Sequence, residues 1–73
     1  MKKEIIHYRL IFAANVKKQR SRLQISQEEL SYLSGLHRTY ISSIERGNRN
    51  VSIDAMQKIS TALDVPLYKL LQE

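Results

Sequence analysis

The residues able to do chemistry in this chain gather between His37 and Asn50, in the string HRTYISSIERGNRN. On a helix of about 3.6 residues per turn, Arg38, Thr39, Ser42, Ser43 and Arg46 share one arc, while Tyr40, Ile41 and Ile44 share the other, with Tyr40 at the border. The first arc carries two arginines, three hydroxyls and no acid, with Glu45 at its edge. A helix face that only meets water usually mixes Lys with Glu and avoids Ser and Thr, whose hydroxyls compete for the backbone and weaken the helix. Short donors and acceptors beside guanidinium groups instead suit a surface that must approach base edges closely. The alternative is a merely solvated face on a small helical domain.

Other chemistries find less support. Glu28 and Glu29 are adjacent, so they point to different sides of a helix and cannot flank a substrate as a pair; capping and the helix dipole explain them. His7 and His37 have no Cys or acidic cluster at ligand spacing, so no metal is expected. His37, at the turn before the arginine-bearing helix, suits either a phosphate donor or a polar cap. Ser42 and Ser43 have neither a general base at fixed spacing nor a glycine-rich elbow, and there is no phosphate-binding glycine loop. Neither an enzyme nor a cofactor or small-molecule ligand is expected.

Positioning such a face requires a scaffold, and its start and stop signals are legible. From Ile25 to Asn50 the pattern is two short helices joined at Gly35, which supplies the positive φ of a sharp reversal. The first, near 27–34, opens on Ser26 as N-cap, Glu29 as capping-box partner, and Ile25 with Leu30 as a hydrophobic staple. Leu30 and Leu33 are expected to face inward together. The second, near 38–46, is stapled by Leu36 and Ile41 and stops at Gly47. Upstream, a helix near 5–22 is predicted from the recurrence of Tyr8, Ile11, Phe12 and Val16. Downstream of the loop at Asn48–Asn50, Ser52 caps a helix near 53–63, with Val51 and Met56 as a second staple and Met56, Ile59 and Leu63 inward; Met56 reads as core. A fifth helix, near 66–71, is expected to start with Pro66 at its first position and Val65 as cap. Leu67, Tyr68, Leu70 and Leu71 are more apolar groups than one inward stripe on so short a helix needs, which points to self-association through Leu67, Tyr68 and Leu71.

Composition sets the outer limits. Seventy-three residues make one domain, near the lower size at which a single core is stable alone. With no cysteine, neither disulfides nor a thiolate metal site can supplement that core, so a homodimer would aid stability as well as function. Twelve basic residues against seven acidic ones give a net charge of +5, which favours a polyanionic partner. Residues 1–22 alone contribute seven of the basic groups and one acid. Lys17 and Lys18 there suit phosphate contact or plain solvation, and Lys2 and Lys3 lie near a terminus, a weaker place for either. The apolar run after Met1 is interrupted by His7 and Arg9, has no convincing cleavage site and is far too short to span a bilayer. A cytoplasmic protein without membrane contact is expected.

The stretch around Gln27, Leu30, Gly35, Ile41 and Ile44 resembles the helix-turn-helix of Cro/C1-type (XRE-like) DNA-binding domains, and the resemblance covers roughly Phe12 to Leu71. The string from His37 to Asn50 is similar to the small controller proteins of restriction–modification systems. Two departures stand out: Ser31 where the family usually has Ala, and Gln24 where it usually has Gly at the end of the first helix. The resemblance implies an all-α, compact five-helix, lambda-repressor-like domain that binds double-stranded DNA in the major groove as a homodimer and regulates transcription. It also implies that Arg20 pairs with Glu45 to orient the reading helix. Docked in that geometry, Arg38, Thr39 and Ser43 would read bases, Arg38 through guanine O6 and N7. Tyr40 and Ser42 would meet base or phosphate. Gln27, His37, Arg46, Asn48, Arg49, Asn50, Lys17 and Lys18 would hold the sugar–phosphate backbone. A phage repressor, an antitoxin, or a protein-interaction module that has kept the fold are the alternatives.

Overall fold

The computed structural model describes residues 7–73, so the expected helix start at Ile5 and the lysines at Lys2 and Lys3 lie outside the described residues. Five helices follow one another: α1 (Tyr8–Arg22), α2 (Gln27–Ser34), α3 (Arg38–Glu45), α4 (Ile53–Ala62) and α5 (Leu67–Leu70). No strand occurs among the described residues. α3 packs against both α1 and α2, α4 packs on α2, and α5 closes the far end against α1 and α4.

One core joins all five. Phe12 and Val16 from α1, Leu30 from α2, Ile41 and Ile44 from α3, Ile59 and Leu63 from α4 and its cap, and Leu70 from α5 form a contiguous buried cluster. Burying each such side chain is worth roughly 1.5–3 kcal/mol, so α3 is anchored by two groups in the cluster while its other arc faces outward. Two expected inward residues face water instead: Leu33 is 55% exposed and Tyr8 52%. On α2 the inward place one turn after Leu30 is taken by Ser34, whose hydroxyl donates to Ser31 O (3.4 Å) and accepts from Leu36 N–H (3.2 Å). On α1 the inward face is completed by Ala13.

The helix ends explain why such short segments hold. Ser26 Oγ accepts from Glu29 N–H (3.0 Å) and Ser26 N–H donates to the Glu29 carboxylate (3.1 Å), a complete capping box. Ser52 Oγ accepts from Ala55 N–H in the same way for α4. Three helices stop on one motif, in which a left-handed residue lets two N–H groups fold back onto the last turn. Gln24 (φ 57°), Gly47 (φ 74°) and Asp64 (φ 57°) are those residues, and Ile25, Asn48 and Val65 donate to Arg20 O, Ser43 O and Ser60 O. The first inter-helix turn therefore forms with Gln24 in a conformation that costs a side-chain-bearing residue roughly 1–2 kcal/mol. Gly35, also left-handed at φ 74°, turns α2 toward α3.

The fifth helix begins one residue later than expected. Pro66, at ψ 146°, is the extended cap rather than the first helical residue, and Leu67 starts the helix. At four residues it is too short to persist by itself; Asn15 Nδ2 donates to both Leu70 O (2.9 Å) and Gln72 O (2.8 Å) and pins it to α1. Its apolar surplus divides: Leu70 enters the core, Leu67 and Leu71 pack at the core's edge, and Tyr68 is exposed. α3 and α4 likewise end one residue early, with Arg46 and Leu63 as their C-caps.

Candidate nucleic-acid interface

α3 is held at both ends. At its start, His37 takes the extended cap conformation and its Nδ1 accepts from Thr39 N–H (3.1 Å). A ring nitrogen that accepts carries no proton, so the neutral imidazole keeps its proton on Nε2, and the exposed edge of His37 is a donor. Of the two roles read for His37, the structure shows the cap.

At the other end, Arg20 of α1 grips Glu45 through two parallel bonds, Nε to Oε2 at 2.8 Å and Nη2 to Oε1 at 3.0 Å. Its remaining Nη1 donates to Ile25 O in the α1–α2 turn (3.0 Å). Gln27 Nε2 also donates to Glu45 Oε1 (3.2 Å). One carboxylate therefore ties α1, the start of α2 and the end of α3 together, and the planar fork of arginine suits that geometry. The hydrogen bond that Arg20 donates to Glu45 raises the Arg20 pKa above its already high ordinary value, against the opposing effect of burial. Gln27 is half-buried, with one amide N–H committed to this cluster.

Between those anchors, the outer arc presents Arg38 and Thr39 exposed and Ser42 and Ser43 half-buried. Ser43 Oγ donates to Thr39 O (2.7 Å), and Ser42 Oγ accepts from Arg46 Nη1 (2.5 Å). Among the described residues no side-chain hydrogen bond engages Arg38, whose guanidinium keeps its full set of donors. Tyr40 packs its half-buried ring against the core, and the Arg49 guanidinium lies 4.8 Å above the ring centroid, within cation–π range. Asn48, Arg49 and Asn50 are exposed and follow directly from the end of α3.

Two features of the arrangement fall outside what local spacing shows. Arg9, in the first turn of α1, donates through Nη2 to Asn50 Oδ1 across 41 positions of sequence. That bond occupies the Asn50 side-chain carbonyl, and its amide makes no hydrogen bond among the described residues. Leu10, beside it, lies where a side chain at Gly47 would sit, 2.6 Å from a Cβ built there. The start of α1 thus braces both ends of the α3–α4 loop, and only the tertiary fold brings these residues together. Conversely, Lys18 is not gathered with α3: it borders a cleft between α1 and the chain's last residues, with Arg22 and Lys69. Lys17 is exposed on α1.

No group of three or more His, Cys, Asp or Glu side chains converges as a metal site among the described residues, and no described helix is long and apolar enough to cross a membrane.

Comparison with known proteins adds an independent line. The helix-turn-helix family pattern matches residues 16–70. The chain is 55% identical over 58 residues to the control protein C.BamHI of Bacillus amyloliquefaciens, a match covering 78% of this chain and 72% of that protein. It is 46% identical over 61 residues to the control protein C.SmaI of Serratia marcescens, covering 84% and 73%. Among solved structures, the restriction-modification controller protein C.AhdI from Aeromonas hydrophila superposes with a TM-score of 0.82 at 40% identity, over 85% of this chain and 94% of that one.

Proposed function

The chain belongs to the Cro/C1-type (XRE-like) helix-turn-helix family, and from that membership we propose that it is a controller of restriction–modification genes, binding a near-palindromic operator as a homodimer. As a member of that family, with control proteins among its relatives, it is a DNA-binding transcription regulator. The observation that supports operator reading by this chain is the outer arc of α3, and the controller role is supported by its control-protein relatives. Arg38 and Thr39 stand exposed on a helix anchored behind by Ile41 and Ile44 and fixed at its end by Arg20 and Glu45.

Laid into the major groove, the first turn of α3 comes nearest the bases. Arg38, with its fork of donors, meets guanine O6 and N7, and Thr39 sits beside it. His37 Nε2, the second amide N–H of Gln27, and Arg46, Asn48, Arg49 and Asn50 hold phosphates around that entry. These contacts set register and orientation without reading sequence. One such domain covers too few base pairs for a useful ratio of specific to non-specific binding. A two-fold dimer doubles the readout and places its reading helices about 34 Å apart, one DNA turn. Exposed Tyr68, with Leu67 and Leu71 at the core's edge, supplies the proposed contact. Leu71 also borders a groove lined by Tyr8, Phe12, Val51 and Met56 together with Arg9, Arg49 and Asn50.

The test is selection of bound fragments from random duplex, followed by footprinting and by sedimentation of the free protein. A palindromic consensus protected over two half-sites, with dimers that Leu67→Asp with Leu71→Asp converts to monomers, is the expected result. Weak, sequence-independent binding would instead fit a module that keeps the fold for protein contacts. Persistent dimers in the double variant would place the subunit contact elsewhere.

A further inference from the structure

The three hydroxyls of the α3 outer arc are not equivalent, because their protons are differently committed. Ser43 Oγ donates its proton to Thr39 O at 2.7 Å, one turn back along the same helix. Ser42 Oγ accepts from Arg46 Nη1 at 2.5 Å and keeps its own proton free. Thr39 has no side-chain hydrogen bond among the described residues. A hydroxyl offers one donor and two acceptor lone pairs, so Ser43 alone presents to the outside nothing but lone pairs. Ser43 is half-buried on a helix fixed at both ends, which holds it in register with that carbonyl.

We infer that Ser43 meets DNA as a hydrogen-bond acceptor only, and so selects an exocyclic amine, adenine N6 or cytosine N4, in the major groove. The inference rests on the docking of α3 proposed above. Accepting from an amine adds a hydrogen bond and breaks none. Donating to a keto oxygen would require the hydroxyl to leave Thr39 O, exchanging one bond for another with no net gain. A hydroxyl that already donates is also polarised into a better acceptor. Ser42 and Thr39 carry no such restriction and accommodate either kind of base edge.

Every base pair shows both an amine and a keto oxygen in the major groove, so sequence preference alone does not separate them, and base analogues do. Selection with the full chain and with Ser43→Ala first locates the pair at which the variant loses discrimination. Affinities are then measured on duplexes altered at that pair alone. In one set the amine is removed, with purine for adenine or 2-pyrimidinone for cytosine. In the other the keto oxygen becomes a poor acceptor, with 4-thiothymine for thymine or 6-thioguanine for guanine. Removing the amine should weaken the parent protein roughly 3- to 10-fold more than Ser43→Ala, the worth of one neutral hydrogen bond. The sulfur set should affect both proteins alike. A parent-specific loss on the sulfur set, equal losses on the amine set, or a Ser43→Ala variant with unchanged preference everywhere would each overturn the inference. Failure of the parent to prefer any sequence would instead overturn the docking on which it rests.

Discussion

Replacing Glu45 by Ala removes the acceptor for two guanidinium bonds from Arg20 and one amide bond from Gln27. The Glu45 side chain is 3% exposed and that of Arg20 17%, so the pair lies between a surface pair and a fully buried one. Exposed pairs contribute up to about 1 kcal/mol, and breaking a buried one costs about 3–5 kcal/mol because a charge is left without its partner. Arg20 retains one bond, to Ile25 O, and a narrow opening to water, which places the expected loss at about 2–3 kcal/mol. In a domain of this size that is a fall in Tm of roughly 10–20 °C. Thermal and urea unfolding at fixed protein concentration measures it, since the proposed dimer would make Tm concentration-dependent. The paired variant Arg20→Met with Glu45→Leu, which leaves no orphaned charge, should recover most of the loss while loosening the register of α3 and broadening sequence preference. The Arg20 pKa is raised above an already high value by Glu45, and a raised cation pKa contributes its stability at every pH below the unfolded one. Titration of Arg20 should therefore leave no trace in stability curves at acid or neutral pH. A loss below 0.5 kcal/mol for Glu45→Ala would refute the reasoning, because the carboxylate would then be no anchor.

Gln24→Gly should raise stability by about 0.5–1 kcal/mol: it relieves a side chain held at φ 57°, less the extra entropy of glycine in the unfolded chain; an unchanged urea midpoint would contradict it. Gly35→Ala and Gly47→Ala incur the same backbone penalty, about 1 kcal/mol, but only the second must also displace Leu10, so its Tm should be the lower of the two. Arg49→Ala should weaken binding to all duplexes and reduce the slope of log K against log salt by about one; altered sequence preference would mean that Arg49 or the Tyr40 ring beneath it reads bases. Arg9→Ala should weaken binding less than Arg49→Ala and leave the salt slope unchanged, because Arg9 acts through Asn50; a slope reduced by one would make Arg9 a phosphate contact itself.

Those predictions divide along the line between what the sequence shows locally and what only the fold assembles. Caps and turns are local chemistry, and Ser26, Glu29, Ser52, Gly35 and Gly47 carry their roles in their own side chains and spacing. The inward faces were only partly legible, because periodicity tells which residues share a face and not how wide the buried stripe is. Leu33 and Tyr8 fall at the margins of their stripes, Leu33 at a cleft shared with Gln57 and Lys58 of α4 and Tyr8 at one shared with Asn50 and Val51, and both stay about half exposed. Pro66 has a fixed φ that suits a cap as well as a first helical residue, so only ψ, set by the turn before it, decides between the two. The Arg20–Glu45 pair has no local signature and was expected only through family resemblance. The bond from Arg9 to Asn50 had neither kind of signal, since 41 residues separate partners of common types.

The placement of order on this surface has a consequence for binding. Side chains that lose rotamer freedom on association each cost about 0.5–1.5 kcal/mol. Much of that ordering is already present in the free protein: Ser43 is bonded to Thr39 O, Arg46 to Ser42, Arg49 lies on Tyr40, and Asn50 is held by Arg9. Arg38 is exposed with no such restraint among the described residues. On the docking proposed above, Arg46, Arg49 and Asn50 would therefore meet the sugar–phosphate backbone with little further ordering and contribute affinity for any duplex, whereas Arg38 would have to find its own partner. Its ordering is compensated only where guanine offers both O6 and N7 to the fork, at about 1–3 kcal/mol for the pair of bonds. At any other base the guanidinium is either disordered or solvated, and the contact contributes nothing. A rigid frame around one free arginine would thus give less discrimination at that position than a wholly rigid surface, because ordering is subtracted at guanine and a free guanidinium escapes the penalty of an unpaired donor at any other base. Arg38→Lys, which keeps the charge but loses the fork, should accordingly retain non-specific affinity while losing most of the preference at that base.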